Sequence, residues 1–239
     1  MKMGFAALGM ACQHNNRTIW YDTAMKQESK ETTRREARRR DRQDIILTVA
    51  QDYFMTHGYA GTTMSGIAAA LGGSKGTLWN HFPSKDCLFA AMLDRAARAY
   101  RARLSLLLDP EADLADTLQR ICHSLIEKVT SPEAIALQRL IVAENGRFPQ
   151  LSQMFFDLAP KNTRTLLAGF LHGAMDRGQL RTADPMEAAQ VLTALAMSGT
   201  HQQMLMGIIR QPLPEQIEAD AALATDIFLR AYAPAPPSL

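Results

Sequence analysis

The densest chemistry in the chain lies between Ser74 and Lys85, in the run Ser-Lys-Gly-Thr-Leu-Trp-Asn-His-Phe-Pro-Ser-Lys. Wound as a helix at roughly 100° per residue, Leu78 and Phe82 share one direction, while Gly76 and Asn80 take the opposite one between Thr77 and Trp79. That outer face carries no charge and no aliphatic side chain. It offers amide and hydroxyl groups, a methyl group and a glycine that lets backbone come close, which are the groups that meet base edges in a major groove. Lys75 and His81 border the face within reach of phosphates. Lys85 opens the next helix, where free backbone N–H groups also favour an anion.

No catalytic constellation competes with this one. Gly73-Ser74-Lys75-Gly76 has neither the spacing nor the preceding strand of a phosphate-binding loop, and no G-x-S-x-G, H-E-x-x-H or paired-cysteine pattern occurs. The six histidines are scattered, and Cys12, Cys87 and Cys122 are isolated, so neither a metal site nor a disulfide framework is expected. The residues therefore predict no enzyme, no metal and no cofactor. A reducing, cytoplasmic compartment fits the cysteine usage. No apolar run approaches the ~20 residues of a membrane helix. Lys2 and the mostly apolar stretch from Met3 to Ala11, ending at Cys12, loosely imitate a leader. We read the stretch as a tail, with Met25 as an alternative start.

The elements around the central run can be read from periodicity and punctuation. From Asp44, the residues Ile46, Val49, Ala50, Tyr53 and Phe54 form one helical face that Gly58 ends. Thr62-Thr63 caps a short helix with Met64, Ile67, Ala68 and Leu71 on one side, and Gly72-Gly73 closes it. Ser74 caps the next short helix, which Pro83 terminates, and Ser84 caps a long one beginning at Lys85. Helix, turn, helix behind a packing helix is the plan of a DNA-reading motif. Charge agrees: up to Tyr100 there are 14 Lys/Arg against 9 Asp/Glu, and thereafter 12 against 15. Only the front of the chain suits a polyanion.

The segment from Ile45 to Met92 resembles the DNA-binding domain of the TetR/AcrR family over about a fifth of the chain. The markers are Phe54, Gly58-Tyr59, Thr62-Thr63, Ile67-Ala68, Ser74 to Leu78, His81-Phe82 and Ser84-Lys85. The resemblance implies DNA contacts from Thr63, Lys75, Gly76, Thr77, Trp79, Asn80, His81 and Lys85, with Ser74 counted beside them. Trp79 stands where the family usually has tyrosine, and Gly73 where valine is usual.

The remainder reads as helices broken by proline and glycine, with no strand signal. Breaks fall at Asp109-Pro110, Ser131-Pro132, Asn145-Gly146, Pro160, Asp184-Pro185 and Pro212 to Pro214. The stretch from Arg147 through Pro185 is similar to AefR-like C-terminal domains of the same family. That likeness implies a homodimer through the last two long helices, Asp184 to about Ile209 and Glu215 to Tyr232. Ala188, Ala189, Leu192, Ala194, Leu195, Ala196, Ser198, Gly199 and Met206 would supply small or apolar contacts. It also implies a small-molecule pocket for a largely apolar inducer, with Cys122, His123, Ile126, Arg139, Leu140, Phe155, Leu167, Phe170 and Met175 as candidate lining. His123 and Arg139 stand out because a buried polar group needs a partner.

The sequence thus predicts an all-α chain with an unordered basic arm over 1–41. A helix-turn-helix domain would follow over 42–88, then a ligand-binding and dimerising domain over 89–232, and a Pro-rich tail over 233–239. The function expected is transcriptional repression at a pseudo-palindromic operator in double-stranded DNA, relieved by the inducer. A constitutive architectural DNA binder is the alternative.

Overall fold

The computed structural model describes the backbone of residues 15–72 and 75–234, and the side chains of residues 36–72 and 76–234. Its front half holds α1 (Asn15–Gly61), α2 (Met64–Ala70), α3 (Lys75–His81), α4 (Lys85–Ser105), α5 (Leu114–Val129) and α6 (Pro132–Glu144). Then come α7 (Gln150–Leu158), α8 (Pro160–Asp176), α9 (Pro185–Ala196), α10 (Thr200–Leu205) and α11 (Pro214–Tyr232). All regular structure among the described residues is helical. The chain divides after Ile46 into two units, residues 1–46 and 47–239.

In the first unit, residues 15–41 are helical rather than the unordered arm expected from sequence. No proline or glycine lies between Asn15 and His57, and the stretch is built largely of Lys, Arg, Glu, Gln and Ala, all strong helix formers. The missing apolar face speaks against burial, not against helix. Arg38, Arg39 and Arg40 are exposed, and Arg40 pairs with Glu36 at 3.8 Å. The apolar stretch from Met3 to Ala11, and Cys12, lie outside the described residues.

In the second unit, the punctuation read from sequence does its work. Ser84, Asp113, Ser131 and Asp184 each accept a backbone N–H of the helix they precede, and Pro132 and Pro185 occupy first-turn positions. The main core joins the end of α4 to α5, α8, α9 and α11. Leu118, Ile121 and Cys122 of α5 meet Leu192 and Ala196 of α9, with Ala221, Ala224 and Phe228 of α11. Alanine on α9 and α11 lets these helices approach, and each buried Leu or Phe adds about 1.5–3 kcal/mol.

The helix expected to run from Asp184 to about Ile209 is broken. α9 stops at Ala196 and α10 starts at Thr200, whose N–H donates to Asp220 on α11 at 2.6 Å. Gly199 makes the break possible, because a Cβ there would fall inside the Asp220 carboxylate. Gly199→Ala should therefore cost about 1–3 kcal/mol by displacing that cap. Thermal denaturation beside Asp220→Asn measures it, and the two losses should not add in the double variant.

Candidate nucleic-acid interface and cavity

Three residues anchor the turn between α1 and α2. Gly58 adopts φ 70°, a conformation open to glycine, and the Thr62 hydroxyl donates to its carbonyl at 2.6 Å. Thr63 caps α2 by accepting the Gly66 N–H at 3.0 Å. Beneath them Phe54, Tyr59 and Phe89 form an aromatic cluster, with ring centroids 5.0 to 5.8 Å apart. The Tyr59 hydroxyl donates to Asp86, and burial with that carboxylate beside it pushes the phenol pKa up.

On this base α2 buries Ile67 and Ala68, and α3 packs against α2 with Leu78 and Phe82 turned inward. Gly76 and Asn80 are exposed, Trp79 is 39% exposed, and Thr77 and His81 are half-buried at the margins. Side-chain periodicity thus gave the correct outward face. The side chain of Lys75, and all of Gly73 and Ser74, lie outside the described residues.

Lys85 has a duty that the sequence did not announce. Its ammonium donates to the carbonyls of Tyr59 (2.8 Å) and Thr62 (3.0 Å) and sits 4.2 Å from the Tyr59 ring centroid. Desolvation by its surroundings lowers its pKa. Two of its three N–H bonds therefore tie the α1–α2 turn to α4, a structural duty beside the phosphate contact expected from sequence.

A second bridge reaches the same turn from α6. Glu144 accepts the Ala60 N–H at 2.9 Å, and the Phe148 ring lies edge-on to Tyr59 at 5.1 Å. Nothing in the residue types flagged Glu144, because it reads as a solvated residue at a helix end.

A cavity of about 510 Å³ opens between α1 and the helices from α4 to α9. Its wall includes Gln51 and Met55 of α1, Tyr100 of α4, Leu125 of α5, Gln138 of α6 and Phe155 of α7. Of the nine candidate lining residues, the structure brings Phe155 alone to it. Cys122, Ile126, Leu167 and Met175 are all buried in the α5–α8–α9–α11 core, and Phe170 packs against it. Burial pushes the Cys122 thiol up to about 11, as expected of an inert core cysteine. His123 lies on the surface beside Glu127 (3.7 Å) and Glu218 (3.8 Å). Arg139 is exposed and caps α10, donating to the carbonyls of Met204 (2.6 Å) and Leu205 (3.1 Å). Leu140 is half-buried away from the cavity wall. Cys122 and Ile126 of α5, expected to line the pocket, belong to the core shared with α9 and α11, while Leu125 on the same helix reaches the cavity. Gln51 and Met55 lie one helical turn apart on α1, and nothing in their residue types marked them as facing a void.

Residues 46–92 match the model of bacterial regulatory proteins of the tetR family, and residues 116–234 match the AefR-like transcriptional repressor C-terminal domain. The solved structure of the flavonoid-responsive regulator FrrA is 30% identical, with a TM-score of 0.71 over 81% of this chain and 98% of that one. The chain belongs to the TetR family. Among other relatives, the HTH-type transcriptional repressor AcnR of Corynebacterium efficiens is 24% identical over 173 residues, covering 72% of this chain and 87% of that protein. The nucleoid occlusion factor SlmA of Vibrio campbellii is 26% identical over 142 residues, covering 58% and 69% respectively. This TetR-family regulator accordingly pairs an N-terminal DNA-binding helix-turn-helix with an AefR-like helical domain.

Proposed function

We propose that this TetR-family regulator is a repressor that binds a pseudo-palindromic operator as a homodimer and leaves it when a small molecule fills the cavity. The observation that carries the reading is the shared wall: Gln51 and Met55 belong to α1, the helix that leads into α2 and α3, yet they line the same cavity as α4 to α9. A ligand there touches the DNA-binding domain directly. It can then favour a conformation whose recognition helices no longer fit grooves roughly 34–36 Å apart. Relatives lend support, since AcnR is a repressor and FrrA responds to flavonoids.

Dimerisation in this reading uses α9 and α11, but through fewer residues than sequence suggested. Ala188, Ala189, Leu192 and Ala196 are buried in the chain's own core and are unavailable to a partner. Leu223 (56% exposed), Ile227 and Met186 on the outer faces remain available. Leu223→Glu should turn the dimer into monomers and weaken operator binding at least tenfold, because a charge buried at the interface centre goes unpaired. Light scattering and a binding titration on the same sample check both effects.

The test of the whole reading is fluorescence anisotropy on DNA from the gene's own upstream region, with and without extracts and small-molecule panels. Specific binding that a compound reverses supports it. Specific binding that nothing reverses favours the constitutive architectural alternative.

A further inference from the structure

Resting on the ligand-responsive reading, we propose that the cavity takes an amphipathic organic anion, with an apolar body and one acidic end held by Lys128 and Arg164. The volume, about 510 Å³, is that of a drug-sized ligand site. Most of the wall is apolar: Met55, Met92, Leu93, Ala97, Leu125 and Phe155 would enclose the body.

The charges on that wall decide the rest. Its titratable groups are Lys128, Arg164, Glu133 and Tyr100. Among the described residues neither cation is in an ion pair, although Arg98, Arg103, Lys161 and Arg230 each find a carboxylate. Arg164 lies over the Phe156 ring at 5.9 Å, which leaves its N–H edge for a planar acid. Glu133 is exposed in the first turn of α6, where the helix terminus and water offset its charge. The Tyr100 hydroxyl is buried beside the Ser124 hydroxyl, and burial raises its pKa, so it keeps its proton and can donate. Two unpaired cations and a donor, set in an apolar wall, favour an anionic ligand over a neutral one and oppose a cationic one.

The experiment uses two fluorescent probes with one ring system, 1-anilinonaphthalene-8-sulfonate and its uncharged analogue N-phenyl-1-naphthylamine, on the full chain. Lys128→Met and Arg164→Met should each weaken the sulfonate about fivefold and leave the neutral probe unchanged. Both residues are partly exposed, so the fold should survive. Ala97→Trp, which fills the cavity, should displace both probes and so locate them. Equal sulfonate affinity in wild type and both methionine variants overturns the anion proposal while leaving ligand response intact. Failure of wild type to bind either probe overturns the proposal and counts against ligand response as well.

Discussion

Lys85→Met should destabilise the protein by about 2–3 kcal/mol and weaken operator binding without changing its salt dependence. The first figure follows from two hydrogen bonds from a charged donor, each worth about 1.5–3 kcal/mol and discounted here for partial exposure. Methionine keeps most of the apolar stem but leaves the carbonyls of Tyr59 and Thr62 without their donor. The turn that orients α2 and α3 loosens, and every operator sequence is bound less well. A residue whose duty is to neutralise phosphate behaves differently. Its loss lowers the slope of log K against log salt by about one, since one fewer counterion is released. Denaturant titration and anisotropy at several salt concentrations separate the two roles.

The second large effect is expected at the bridge between α6 and the α1–α2 turn. Glu133, Ala134, Leu137 and Gln138 line the cavity near the start of α6, and Glu144 at its end holds the Ala60 N–H. Phe148 follows, packed on Tyr59. On the proposed reading, a shift of α6 on ligand entry would pull directly on the turn that Lys85 and Thr62 fix. Combining Glu144→Ala with Phe148→Ala should lower the ratio of operator affinities without and with inducer about tenfold, within the usual coupling of ~1–3 kcal/mol. Inducer affinity itself should change little, because neither residue lines the cavity. An unchanged ratio would place the coupling elsewhere, in α4 or in α1 itself.

Some of this was legible in the sequence and some was not, for reasons tied to particular residues. Short-range chemistry carried well. Ser84, Ser131 and Asp184 cap the helices they precede, Leu78 and Phe82 turn inward, and Gly76 and Asn80 stay exposed. These outcomes depend on periodicity and on local hydrogen bonds. What failed depended on partners far away in the chain. The two carbonyls that Lys85 holds were not legible, because nothing nearby in sequence announces Tyr59 and Thr62. Arg139 looked like a buried polar group seeking a ligand, while the carbonyls it caps belong to residues 204 and 205. The break at Gly199 needs Asp220, twenty-one positions on. The pocket residues were missed because an apolar stripe gives a helix face but not the neighbour it meets. Cys122 meets α9 and α11, whereas Leu125, on the same helix, also reaches the void.

The outer face of α3 is the surface on which the account depends, and competition between operator variants tests it most directly. Asn80→Ala and Thr77→Ala should each erase the preference for one base pair in every half-site, a change of about 1–3 kcal/mol, and leave affinity for unrelated DNA as it was. Uniform losses on all sequences, operator and unrelated alike, would mean that these side chains do not read bases.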